Sequence, residues 1–249
     1  RVAICGYHGW QDWFIGSTSR NAGVPKVVSE LVHNFEYNNI KSLENLFSRY
    51  PNEFAAVIME PVIAEKPRDD FLKKVKKLAH DNGALLIFDE MISGFRFAMG
   101  GVGEYLDVTP DLATFGKGIT NGMPLGALVG KREYMKEFDK VFLSSTYAPE
   151  ALTLAAANAT INFYREHDVI SKIWEKGLYI EKHFKEVIKK HQIEKNVSLA
   201  GYPVRLMVNT HGKDGVQDPN LATLYQQEMF RHGILCFSGV LMLSYSHNR

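Results

Sequence analysis

The chain has 249 residues, 45% of them hydrophobic, with 29 basic and 28 acidic residues giving a net charge of +1. That is enough apolar material for one large domain or two small ones, and the near-neutral balance speaks against a nucleic-acid or membrane surface. No apolar run approaches the roughly 20 residues that span a bilayer, and Cys5 and Cys236, far apart in a chain that shows no signal sequence, read as reduced thiols of a cytoplasmic protein.

In chain order, Arg1-Val2-Ala3-Ile4-Cys5 reads as a strand already in progress, followed by Tyr7-His8-Gly9-Trp10. By themselves these are a core tyrosine and a solvated histidine. Trp10 and Trp13 fit simple packing as well as the mouth of a site. Residues 16–25 form a polar loop full of turn formers, with Arg20 a surface residue or a contact for a substrate carboxylate. Residues 38–50 carry Ile40, Leu43, Leu46 and Phe47 at helical spacing, and 54–59 form a buried strand ending on Glu60-Pro61. Residues 71–80 are amphipathic. Lys73, Lys74, Lys76 and Lys77 occupy the solvated face of that helix, so no nucleic-acid patch is needed to explain them.

Ala84-Leu85-Leu86-Ile87-Phe88 is an unbroken apolar run bounded by Asn82-Gly83 and Ser93-Gly94, which predicts a strand buried on both faces. Asp89 stands at its carboxyl end, where ligands of open α/β sheets gather. Leu112-Ala113-Thr114-Phe115 then leads into Gly116-Lys117-Gly118, whose glycines leave room beside the lysine. A carboxylate and a lysine on neighbouring strand ends suit a pyridoxal phosphate (PLP) enzyme. The lysine would form the Schiff base and the carboxylate would keep the pyridine nitrogen protonated. Plainer readings exist: a solvated turn lysine and a turn-forming or helix-capping aspartate. A phosphate loop is excluded, because Gly118 follows Lys117 where Ser or Thr is required and Asp111 stands five residues before Gly116. Gly100-Gly101-Val102-Gly103 lacks the spacing of a dinucleotide fingerprint. Spacing alone leaves the site open.

Ser144-Ser145-Thr146 precedes an Ala-rich helix over 150–164 and is either a phosphate contact or its N-cap. Helix is predicted again over 170–190 and 221–232, and strand over 202–208 and 241–247. The division expected is 1–165 for a large domain and 166–249 for a connecting helix and part of a smaller one.

Ile87 to Arg96, Pro110 to Gly118 and Pro124-Leu125-Gly126-Ala127, with Tyr7-His8-Gly9, Glu60-Pro61-Val62 and Thr146, resemble in order the signature of class III aminotransferases. Asp89-Glu90-x-x-x-Gly94-Phe95-Arg96 is most similar to the glutamate-1-semialdehyde 2,1-aminomutase branch. The resemblance implies an α/β fold: a mostly parallel sheet with helices on both faces, plus part of a smaller C-terminal α/β domain. It also implies PLP as cofactor. Lys117 is then the Schiff-base lysine and Asp89 the pyridine partner; Tyr7 stacks on the ring with His8 close by, Met91 lies against the other face, and Glu60 sits near the floor. Partial burial of Lys117 would favour its neutral, basic form. Thr146 reaches the phosphate of a neighbouring subunit, which implies a homodimer with a shared site acting on a small-molecule amine donor and a carbonyl acceptor. Ile92 replaces a glutamine common among aminotransferases and is more like the aminomutase branch, whereas Glu65 departs from the asparagine usual there. Family members are longer at both ends, so the chain reads as an excerpt. The competing readings are a PLP-fold remnant serving as a binding module and an unrelated nucleotide-binding α/β protein.

Overall fold

A computed structural model of the chain describes residues 1–147 and 150–248. They fall into two compact units, Arg1–Ile63 with Pro67–Phe163, and Ala64–Lys66 with Tyr164–Arg249. In the first unit the elements run β1 (Val2–Cys5), α1 (Asp12–Ile15), α2 (Lys26–Ser29), β2 (Val32–Asn34), α3 (Ile40–Arg49), β3 (Ala56–Met59), α4 (Phe71–Asp81), β4 (Leu85–Asp89), α5 (Gly101–Tyr105), β5 (Leu112–Phe115), β6 (Ala127–Gly130), α6 (Arg132–Met135) and α7 (Ala151–His167), which crosses the unit boundary.

The six strands make one sheet in the order β2-β1-β3-β4-β5-β6. The first five are parallel and β6 closes the edge antiparallel to β5. Short apolar runs form its centre because both faces are covered: Ala3, Ile4, Val57, Leu86 and Phe88 are fully buried. α3 and α4 add Leu43, Phe47, Val75 and Ala79 from the apolar stripes read in the sequence. Asn39 caps α3 by accepting the Ser42 N–H at 3.3 Å, which sets its start inside the expected span. Sequence and fold agree here.

The second unit contains α8 (Val169–Lys190), β7 (Val197–Tyr202), β8 (Arg205–Thr210), α9 (Pro219–Arg231) and β9 (Val240–Leu241), with an antiparallel sheet β7-β8-β9. The run 202–208 is no single strand. The chain turns at Pro203-Val204, because proline has no N–H for a ladder, and the strands on either side pair as a hairpin. The strand expected over 241–247 is reduced to Val240–Leu241, paired to Leu206 and Met207. α9 begins before Leu221, since Asp218 accepts from the N–H groups of Asn220 and Leu221 and Pro219 occupies the first turn.

Candidate active site

Tyr7 and His8 follow β1, Glu60 follows β3, Asp89 ends β4 and Lys117 follows β5. Those four strands are adjacent and parallel, so all five residues lie at one edge of the sheet, the carboxyl edge. From β1 the chain crosses to β2 on one side and then to β3 on the other, which makes the gap between β1 and β3 a topological switch point. Glu60 bridges that gap. Its Oε1 accepts the Tyr7 N–H at 2.9 Å, and its side chain fills the space a Cβ would need at Gly6, where φ is +105°. Glu60 therefore holds the turn that presents Tyr7 and His8. It also helps burial push the neighbouring Cys5 thiol up to about 12.

Asp89 is buried, and each carboxylate oxygen has a partner. Oδ2 lies 2.8 Å from His8 Nδ1, while Oδ1 accepts the Met91 N–H at 3.1 Å and the Thr114 hydroxyl at 3.4 Å. A carboxylate oxygen has two lone pairs, so Oδ2 can still accept another donor. His8 is enclosed by aromatic rings: Trp13 lies nearly parallel at 6.2 Å and Phe14 edge-on at 5.5 Å. Phe14 also meets the ring of Tyr7 edge-on at 5.3 Å. Tyr7 itself is 62% exposed, a flat ring facing away from the core.

Glu90, next to Asp89, is sealed in. It accepts from the Ser93 hydroxyl and from the N–H groups of Val102 at 3.0 Å and Gly103 at 2.8 Å. Burial raises its carboxyl above the usual range against the pull of those three donors, with Asp89 adding to the rise. Gly101 stands where a Cβ would run into Glu90. This carboxylate anchors the segment that starts at Met91.

Lys117 adopts φ 45°, a left-handed conformation that costs a non-glycine residue roughly 1–3 kcal/mol. A Cβ at Gly116 would collide with Met91, so glycine lets the lysine segment lie against that side chain. Lys117 is exposed, not partly buried, so the described chain does not supply the shielding expected of it. Its side chain and Met91 border a cavity of about 1150 Å³ whose other walls include Met123, Leu125, Tyr147 and Leu154. Thr146 is exposed in the turn between Ser145 and Tyr147, both of which line this cavity. It does not cap the following helix; Glu150 does, accepting the N–H groups of Leu152 at 2.7 Å and Thr153 at 2.8 Å. Among the described residues no cluster of His, Cys, Asp or Glu could hold a metal, and no helix is long and apolar enough to cross a membrane.

Sequence reasoning missed Phe14, the hub of the aromatic group; of the two readings open for Trp13, the structure shows packing, with its ring nearly parallel to His8. The signal was the aromatic density of residues 7–14, yet only the short turn of α1 reveals which rings meet.

The family model for class-III aminotransferases matches residues 6–236, from the turn before Tyr7 to beyond β8. The chain belongs to that family. It is 33% identical over 241 residues to the 3-aminobutyryl-CoA aminotransferase of Cloacimonas acidaminovorans, covering 94% of this chain and 57% of that protein. The FumI protein of Sphingopyxis sp. MTA144, solved in its PLP internal aldimine form, superposes with a TM-score of 0.89 at 23% identity, over 99% of this chain and 60% of its own. The β-phenylalanine aminotransferase of Variovorax paradoxus gives 0.82 at 23% identity, over 98% and 59%. These two likenesses show the fold. The chain spans less than two thirds of the length of these relatives.

Proposed function

We propose that the chain is part of a PLP-dependent aminotransferase that passes an amino group from a small-molecule donor to a carbonyl acceptor. The observation that carries this is the single sheet edge holding an exposed lysine, a buried and oriented aspartate and an exposed aromatic ring. Those residues fit the cofactor: an amine for its aldehyde, an anion for its ring nitrogen and a flat face for its ring. When bound, PLP supplies an electron-withdrawing ring that makes the carbon bearing the amino group acidic.

The chain's own residues do the rest. Lys117 would hold the cofactor through its Nζ, and the same amine would take and return the proton at the substrate carbon. Asp89 would offer its remaining lone pair to the pyridine N–H and keep that proton in place, while His8 and the Met91 N–H orient the carboxylate. Tyr7 and Met91 would pack against the cofactor ring. Glu60 sets the position of Tyr7 through the backbone. Thr146 would serve the phosphate across a homodimer interface, and the exposed apolar side chains beside it, Phe142, Leu143 and Tyr147, are the kind of surface a second copy covers.

The second reading is an aminomutase, which returns the amino group to a neighbouring carbon of the same molecule. The Asp89 to Arg96 motif and Ile92 favour it, whereas Glu65 and the names of the relatives favour export to an acceptor.

The visible spectrum of the full-length protein with added PLP tests the proposal. A yellow band is expected in the parent and absent in Lys117→Ala. With the loaded protein, product formation that requires an acceptor marks an aminotransferase, and isomerisation of one compound alone marks an aminomutase. No band in the parent would sink both readings and leave the binding-module one.

A further inference from the structure

We infer that Trp13 is a positioning residue for this site: its indole fixes the plane of His8 and, through His8, the direction of the Asp89 carboxylate. The inference rests on the aminotransferase reading proposed above. His8 makes one polar contact, Nδ1 to Asp89 Oδ2 at 2.8 Å, and its side chain is only 1% exposed. The other ring nitrogen, Nε2, is buried with no hydrogen-bond partner among the described residues. A ring held by one hydrogen bond pivots about it, and a half-turn exchanges the nitrogen facing Asp89 for a carbon.

That one bond selects which ring edge faces Asp89 but leaves the tilt of the ring plane about it free, and the apolar walls decide the tilt. Trp13 lies nearly parallel to the ring, offset at 6.2 Å and 15°, and Phe14 meets it edge-on at 79°. Trp13 is itself well anchored, because it meets the ring of Phe14 at 6.0 Å and packs on the buried cluster of Ile4, Phe14 and Val32. With His8 held, its Nδ1–H stays on Asp89 and fixes the position of Oδ2. If His8 turns, Oδ2 loses its partner and the carboxylate swings about Oδ1, which the Met91 N–H retains.

Two variants separate plane from volume: Trp13→Phe keeps a flat ring, and Trp13→Met fills much of the space without one. The first readout is nitrogen NMR of the cofactor-free full-length protein, with His8 assigned through His8→Gln. A single Nδ1–H tautomer is expected in the parent and in Trp13→Phe, and averaged ring-nitrogen shifts in Trp13→Met. In the loaded enzyme Trp13→Met should lower kcat roughly two- to tenfold, the worth of one aromatic pair, with KM for the donor changed by less than about twofold and Trp13→Phe near the parent. Should Trp13→Met fail to fold, Trp13→Leu replaces it. Parent-like His8 shifts in the flexible variant, or equal loss in both variants, would overturn the inference. A parent without a visible PLP band would instead overturn the functional reading and leave the NMR result standing.

Discussion

Lys117 and Asp89 achieve their placement by opposite means. Lys117 sits exposed in a left-handed conformation on a glycine-flanked turn. Asp89 is buried and held through its side chain on both oxygens. That suits their proposed roles, since a lysine that is bound and released needs freedom and a counter-ion needs a fixed direction. The same edge explains Cys5. Burial and the nearby Glu60 carboxylate push its thiol to about 12, so almost no thiolate exists near neutral pH. We expect iodoacetamide at pH 8 to leave Cys5 unmodified in the native protein and to alkylate it once the protein is unfolded, as read by peptide mass spectrometry. Rapid modification of Cys5 under native conditions would show that the β1 end is open.

Elements join through close approaches that one side chain can ruin. In α8, Gly177 is buried, and a Cβ there would run into the carbonyl of Pro203 in the turn between β7 and β8. Helix propensity alone favours alanine over glycine by about 1 kcal/mol. The neighbour here is backbone and cannot step aside cheaply, so the sign reverses: Gly177→Ala should lose about 1–3 kcal/mol in denaturant unfolding. A gain would mean that α8 and the turn move apart at little cost. The cap of α7 makes a related point, because Glu150 takes the role that Ser144 to Thr146 offered and leaves Thr146 free of that duty. Likewise, a strand over 202–208 follows from apolar content alone and passes over Pro203, the residue that turns the chain.

At the scale of the first unit, Asp111 ties the sheet together from the edge opposite the site. Its fully buried carboxylate accepts the Leu86 N–H at 2.8 Å, lies 2.7 Å from His80 Nε2 and 2.6 Å from Lys131 Nζ. Burial would raise this carboxyl, but the Lys131 ammonium, the Leu86 N–H and His80 outweigh it and hold Asp111 below the usual 3.8. Its contribution is therefore complete above that ordinary value and is lost as pH falls through the lower folded one. Glu90 has the opposite sign: its folded value is raised, so ionised Glu90 costs stability above the carboxylate range and protonation relieves the cost first on acidification. Asp111→Asn should lower stability by about 3 kcal/mol near neutral pH. It should also flatten the decline below about pH 4 in thermal melts across pH. An unchanged acid limb would show that Asp111 has no part in the loss of stability at low pH.

By itself the sequence determined the alternation of strands and helices, the strand ends carrying Glu60, Asp89 and Lys117, and the family, through motifs spread along most of the chain. These are local properties: apolar runs, glycine-flanked turns and spacing are written in neighbouring residues. Only the tertiary structure decided the strand order that brings His8 to Asp89 across 81 positions, the bond from Glu60 to Tyr7, the stacking of Trp13 over His8 and the exposure of Lys117. Contacts of that kind depend on which strand lies beside which and on how a short helix turns its rings. No periodicity within a single element records either.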